Sequence, residues 1–218
     1  MNTFENKLYL LSTAYFAPIQ YFTKLVSANQ VYIEQFEHFT KQTYRNRCVI
    51  MGGNGLIPLV IPVVSGRGSK IPVSKLKISY DTQWQRNHWR TIFSAYNSSP
   101  FFEYYQDEIM PFFNKKWKYL FEYNMEILHT ICDILEIETN FLLTSDFENI
   151  PLSCVNYRET ISPKNKTIID PEFHPVPYTQ VFSERFGFSP NLSILDLLFN
   201  VGPNSLSILE ESTTANLE

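Results

Sequence analysis

Apolar residues open the chain in a short unbroken run, Leu8-Tyr9-Leu10-Leu11, that stops at Ser12-Thr13. A run of this length bounded by small polar residues reads as a buried strand. Pro18 then suits the first turn of a helix, and Ile19, Phe22, Leu25 and Val26 recur at helical spacing. Val31-Tyr32-Ile33-Glu34 supplies a second strand. Strand, helix and strand within about thirty residues make a βαβ unit, which predicts parallel pairing.

The pattern changes after residue 46. Arg47–Met51 and Ile57–Val63 flank Gly52-Gly53-Asn54-Gly55, a hairpin signal, because Gly and Asn tolerate the positive φ of tight turns. Pro58 and Pro62 cannot donate to a ladder, so the second of these strands is expected at an edge. A mobile loop over 65–70 and a short strand at Leu76-Lys77-Ile78 follow. Three helices come next. Trp84, His88, Trp89, Ile92, Phe93 and Tyr96 line the first, Pro100 opens the second, and Trp117, Leu120, Phe121, Leu128, Ile131 and Leu135 stripe the third. Phe141–Thr144 reads as a strand. Residues 145–177 are irregular, with one short strand at Thr167-Ile168-Ile169. Leu192–Phe199 is an apolar helix stopped by Asn200 and Gly202-Pro203, and Ser205–Leu209 a last helical turn. These elements predict one α/β domain over residues 1–209 and a polar tail over 210–218. Its core is expected to be a three-layer, Rossmann-like, partly parallel sheet with an added hairpin and flanking helices; α+β is the alternative.

Composition narrows the setting. Of the 218 residues, 44% are hydrophobic and 16% aromatic, enough for a sizeable core. The net charge of −4 argues against a nucleic-acid partner. Cys48, Cys132 and Cys154 form neither a disulfide framework nor a C-x-x-C pair and are expected as free thiols. The N-terminus lacks a secretory signal and no stretch has the length of a membrane span, so the cytoplasm is the expected compartment.

Four polar segments stand out. Lys41-Gln42-Thr43-Tyr44-Arg45-Asn46-Arg47 packs two guanidiniums among amide and hydroxyl groups, a donor set suited to phosphate or carboxylate, or else an exposed turn entering the hairpin. Gln83–Arg90 places Arg86 and Arg90 one helical turn apart, either bordering a cleft or merely solvated, with His88 and Trp89 beside them. Asn124 interrupts the apolar stripe of the third helix. A buried amide must be hydrogen-bonded or costs about 1–3 kcal/mol, so it pins a loop or faces a pocket. In His174-Pro175-Val176-Pro177-Tyr178-Thr179-Gln180 the prolines stiffen the approach to Tyr178 and Gln180, and His174 is a candidate general base, or else the segment is a rigid surface loop. The glycines of 52–55 match no phosphate-cradling motif, and His38, His88, His129 and His174 lack metal-ligand spacing. No motif specifies a cofactor or an oligomeric state.

With these residues in view, the chain resembles the WbqC-like family. The opening strand followed by Tyr15-Phe16-x-Pro18-x-x-Tyr21-Phe22, the segment Gln42–Arg47 and Trp84-x-x-x-His88-Trp89-Arg90-x-x-x-x-Ala95-Tyr96 carry the likeness. So do Phe121-x-x-Asn124, Tyr178-x-Gln180 and the run from Pro190 through Leu192–Asn200 to Gly202. Two departures are visible: Ser12-Thr13 stands where the family commonly has Gln-Pro, and the 145–170 stretch replaces a basic, Gly-containing segment. The resemblance implies surface-polysaccharide (O-antigen-type) biosynthesis, with an acyl or aminoacyl group transferred to a nucleotide-linked amino sugar. A non-catalytic metabolite-binding or assembly protein of the same process is the alternative. The expected ligand is a small anion, a nucleotide-sugar or carboxylate. The candidate contacts are Tyr15, Gln42, Tyr44, Arg45, Asn46, Arg47, Arg86, Trp89, Arg90, Asn124, Tyr178 and Gln180, with His174 and His88 as candidate catalytic residues and no metal ligand.

Overall fold

The computed structural model describes residues 7–64, 70–147, 154–164 and 168–213. Its centre is the predicted βαβ unit: β1 (Leu8–Ser12), α1 (Ile19–Ser27) and β2 (Gln30–Glu34). The strands pair in parallel, Tyr9 opposite Val31 and Leu11 opposite Ile33. With a side-chain period of two, these four residues share one face, and all four are buried in the main core. β5 (Phe141–Leu143) adds in parallel outside β2, and β6 (Val155–Asn156) outside β1, giving the order β5-β2-β1-β6. β3 (Arg47–Gly52) and β4 (Gly55–Val60) form a separate antiparallel hairpin closed by Gly53-Asn54. Gly55 adopts φ +110°, a conformation that favours glycine, whereas a Cβ on Gly52 would lie 2.4 Å from Ile57 Cδ1 and would make only that side-chain tip move. The fold is α/β: a four-stranded parallel sheet, an added hairpin and flanking helices.

The helices are α2 (Trp84–Tyr96), α3 (Phe102–Ile109), α4 (Pro111–Asn114), α5 (Leu120–Ile134), α6 (Ser183–Phe186), α7 (Ile194–Val201) and α8 (Ser205–Glu211). The apolar stripe of the third predicted helix extends upstream of the helix itself: Trp117 precedes α5, which starts at Leu120. α7 begins at Ile194 because Ser193 caps it, its Oγ accepting from Leu195 N at 3.4 Å. Glu210 and Glu211 continue α8 into the segment expected as tail. Among the described residues no helix is long and apolar enough to cross a membrane.

Two expected strands differ. Leu76–Ile78 makes only isolated bridges, Lys77 to Tyr119 and Val63 to Ile78, so it fastens loops rather than extending a sheet. Thr167 lies outside the described residues, and Ile168 and Ile169 are irregular. The sheet's fourth strand comes instead from Val155–Asn156, and Tyr157 N extends its ladder by donating to Leu10 O at 2.9 Å. Two residues carry too little pattern to be read as a strand. Their geometry is imposed by the unpaired side of β1.

Candidate functional site

Because the four strands are parallel, their carboxyl ends share one edge of the sheet. β1 leads through α1 to β2 on one side, while β6 lies on the other side of β1. The crevice outside β1 and β6 is therefore the topological switch point, where open α/β sheets hold ligands. Each strand delivers polar groups there: Ser12 and Thr13 from β1, Glu34 and then Glu37 from β2, Thr144 after β5, and Arg158 after β6.

These groups are interlocked. Arg45 Nε donates to Glu37 Oε1 at 2.7 Å and its Nη2 bonds the other carboxylate oxygen, a bidentate pair with both side chains under 10% exposed. Nη2 also donates to Ser12 Oγ at 2.9 Å. Arg158 reaches Glu34 at 3.3 Å, and Glu34 accepts from Phe36 N at 2.7 Å and Thr144 Oγ1 at 3.1 Å. Between them lies a narrow cleft lined by Ser12, Thr13, Tyr44, Arg45, Tyr157 and Arg158. Its volume of about 10 Å³ is the room of one water. Thr13 Oγ1 is buried on this wall without a hydrogen-bond partner among the described residues.

Tyr44 separates the cleft from a much larger groove of about 680 Å³, within the usual size of small-molecule sites. Arg47 and Val49 of β3, Leu56 and Pro58 of β4, Gln20 of α1, Asn191, and the 168–173 segment form its walls. Arg47 is the one basic residue lining it among those described. Its Nε is buried without a hydrogen-bond partner, and none of the ion pairs among the described residues involves it. Asp170, the single lining acid among the described residues, is neutralised. Lys24 of α1 sits 2.8 Å from it, and Gln20 Nε2 donates to it at 2.8 Å.

The walls are held by long-range polar contacts. Lys24 and Asp170 are almost fully buried, and Lys24 Nζ also donates to Glu172 O at 3.1 Å. Burial pulls the Lys24 ammonium below its ordinary pKa, against the carboxylates that favour its charge. Glu172 accepts from Tyr157 at 2.6 Å and Tyr9 at 2.8 Å and pairs with Lys7 at 3.1 Å. Burial opposes its ionisation, but those bonds and the Lys7 charge prevail and hold its carboxyl down at about 2. The turn between β1 and α1 is fixed from two sides: Tyr15 N donates to Tyr44 O at 2.9 Å and Ser193 Oγ to Phe16 O at 2.8 Å. Phe16 is thereby kept at φ +36°, a sparsely populated conformation for a bulky residue.

The sequence-selected residues divide into groups. Tyr44, Arg45, Asn46, Arg47 and Asn124 come together. Asn124 Nδ2 donates to Arg45 O and Asn46 Nδ2 to Ile61 O, both at 2.8 Å, so the two amides clamp the turn that leads into β3 and carries Arg45 just ahead of Arg47. Gln42 is exposed at φ +61°, in the turn leading to them. Burial raises the Tyr44 phenol to about 12. Tyr15 and His88 lie behind this cluster, Tyr15 OH 3.0 Å from His88 Nδ1, among Trp84 and Tyr123. Trp89 packs on Phe102 and Phe113.

The other residues stand apart. Arg86 and Arg90 are exposed in two different hollows, Arg86 near Lys116 and Arg90 near Gly52 and Gly53. Tyr178 OH and Gln180 Nε2 donate to buried Asp196 at 2.6 and 2.8 Å, joined by Tyr96 OH at 2.8 Å. Burial raises the Asp196 carboxyl despite those three donors. His174 is exposed, its Nε2 3.0 Å from Pro171 O. Sequence reasoning passed over Ser12, Glu34, Glu37, Lys24, Asp170 and Arg158. For Ser12, Glu34, Glu37 and Arg158 the signal available was position, polar residues at or just after the ends of parallel strands; Lys24 and Asp170 carried none.

Burial drives the His88 imidazole down to about 4 from 6.5, outweighing a backbone contact at Val60. Below pH 6.5 the unfolded chain takes up a proton that the folded one refuses until about pH 4. Stability from this group therefore falls as pH drops through that window and is constant above it. An NMR titration of the His88 ring should show a midpoint near 4. A midpoint at the ordinary histidine value would contradict the burial described.

The chain is 27% identical over 206 residues to the uncharacterized protein Rv1507c of Mycobacterium tuberculosis, covering 84% of this chain and 88% of the relative. No solved structure matches. The profile of the WbqC-like protein family matches residues 13–161 and 162–208, nearly the whole chain including both arms of the groove. The chain belongs to the WbqC-like protein family.

Proposed function

We propose that the groove beside Arg47 seats a small anionic metabolite, a nucleotide-linked sugar or a carboxylate, and that the protein serves surface-polysaccharide production. The observation that carries this is the arginine itself: a guanidinium with an unpartnered buried Nε, alone among described basic residues in lining a groove of about 680 Å³ beside the sheet's switch point. Its planar fork suits two oxygens of one phosphate or carboxylate. Tyr44 offers a ring at the groove's inner end, and Gln20 and Asn191, hydrogen-bonded to each other, form a fixed polar wall along it. Arg45 is occupied by Glu37, which suits it to positioning the 44–47 segment rather than to holding the ligand. Family membership supports the setting, in which an acyl or aminoacyl group passes to a nucleotide-linked amino sugar.

One observation favours the second reading, binding without turnover. The described carboxylates bordering cleft and groove, Glu34, Glu37 and Asp170, are all engaged in ion pairs, which lowers their value as general bases. His88 is enclosed by aromatic rings, and His174 lines neither cavity.

Calorimetric titration with a panel of nucleotide-linked sugars and simple carboxylates tests the seat. Arg47→Ala is expected to weaken binding about tenfold or more, the worth of a charge-assisted bond, whereas Arg86→Ala should bind like wild type. Equal binding by wild type and Arg47→Ala, or heat changes from no member of the panel, would sink the proposal. Product formation with a bound amino sugar would decide for the enzyme over the binding protein.

A further inference from the structure

The groove has a second chemistry that an anion alone does not use. Exposed large apolar side chains scattered singly are ordinary on a protein surface. Here Leu56 (61% exposed), Ile168 (44%) and Ile169 (85%) line one groove together. Pro58 on β4 and Phe173 extend the same walls, so one apolar bank comes from the hairpin and the other from the 168–173 segment. This second bank is fixed in place. Asp170, next to Ile169, is pinned by Lys24 and Gln20, and Glu172 by two tyrosines and Lys7. Burial of those polar anchors leaves the adjoining isoleucines presented outward, a costly arrangement for water alone and a useful one for an aliphatic guest.

Building on the anion seat proposed above, we infer that the ligand is amphipathic: a carboxylate or phosphate head on Arg47 carrying an aliphatic chain that lies between Leu56 and Ile168-Ile169. The guest is a soluble acyl-bearing anion rather than a membrane lipid. The apolar residues line a recess together with the half-buried Thr160 and Ser162, whose hydroxyls would have to lose water without compensation against a bilayer interior.

A series of straight-chain carboxylates, acetate through hexanoate to decanoate, each below its micelle concentration, tests this by calorimetry on the full chain. Affinity should rise with length, by up to about fourfold for each methylene that becomes fully buried, and then level off when the chain outgrows the recess. The double substitution Leu56→Ser with Ile169→Ser alters two exposed positions and should flatten the rise. Arg47→Gln should weaken every member by a similar factor and leave the rise in place. A flat series, a rise unchanged in the double variant, or binding confined to vesicles containing phosphatidylglycerol would overturn the inference. If nucleotide-linked sugars still bind through Arg47 while the series is flat, the aliphatic component alone falls. If Arg47 substitution changes neither ligand class, the anion seat falls with it.

Discussion

Glu37→Ala is expected to cost about 3–5 kcal/mol of unfolding free energy in urea denaturation, because it strands a buried guanidinium. Arg45 and Glu37 are 6% and 7% exposed, so water cannot replace the lost carboxylate. Arg45's remaining side-chain partner is the Ser12 hydroxyl, which cannot neutralise a charge. Replacing both members by apolar residues, Glu37→Leu with Arg45→Met, should be far less damaging than the single change, since it removes the uncompensated charge along with its partner. The backbone clamp from Asn124 to Arg45 O survives both substitutions. A single variant within about 1 kcal/mol of wild type is what an exposed pair would give, and would refute the closed geometry described.

The second large effect is expected at Asp170→Ala. Lys24 and Asp170 are 1% and 2% exposed, and they lie 146 residues apart in the chain. Removal of the carboxylate leaves an ammonium buried on α1, again about 3–5 kcal/mol. It also frees Gln20 Nε2 and the 168–173 segment from their shared anchor. Hydrogen exchange should therefore rise in that segment more than in the β1–β2 ladder. Lys24→Met paired with Asp170→Leu should recover most of the stability. Uniform exchange with unchanged stability would mean that the pair does not hold the groove's outer wall.

The legibility of this molecule follows from where its information is stored. β1, α1 and β2 were readable because each buries one face and so writes a period into its own residues. α7 was readable because its apolar run is stopped locally at Asn200 and Gly202, while that run puts its start two residues early, ahead of the Ser193 cap. β6 was not, since two exposed residues acquire strand geometry only by pairing with β1. The Arg-rich 41–47 segment stood out by composition, but composition does not say which guanidinium is neutralised. Glu37, eight residues before Arg45, decides that, and leaves Arg47 as the groove's cation. Helical spacing put Arg86 and Arg90 on one face without saying that this face meets solvent. His88 shares that helix and turns inward, where its ring meets Tyr15 from the β1–α1 turn and Trp84 one turn earlier on the same helix. Lys24 and Asp170 gave no signal at all, because a buried pair so distant in sequence exists only once the fold has formed.

The Arg47 seat is tested most directly by a crystal structure of the protein with a bound nucleotide-linked sugar. The expected result is a phosphate or carboxylate oxygen within about 3 Å of the Arg47 guanidinium, with the ligand lying along the wall formed by Tyr44, Gln20 and Asn191. Density for the ligand on the exposed face of α2, against Arg86 or Arg90, with the groove beside Arg47 unchanged, would contradict it.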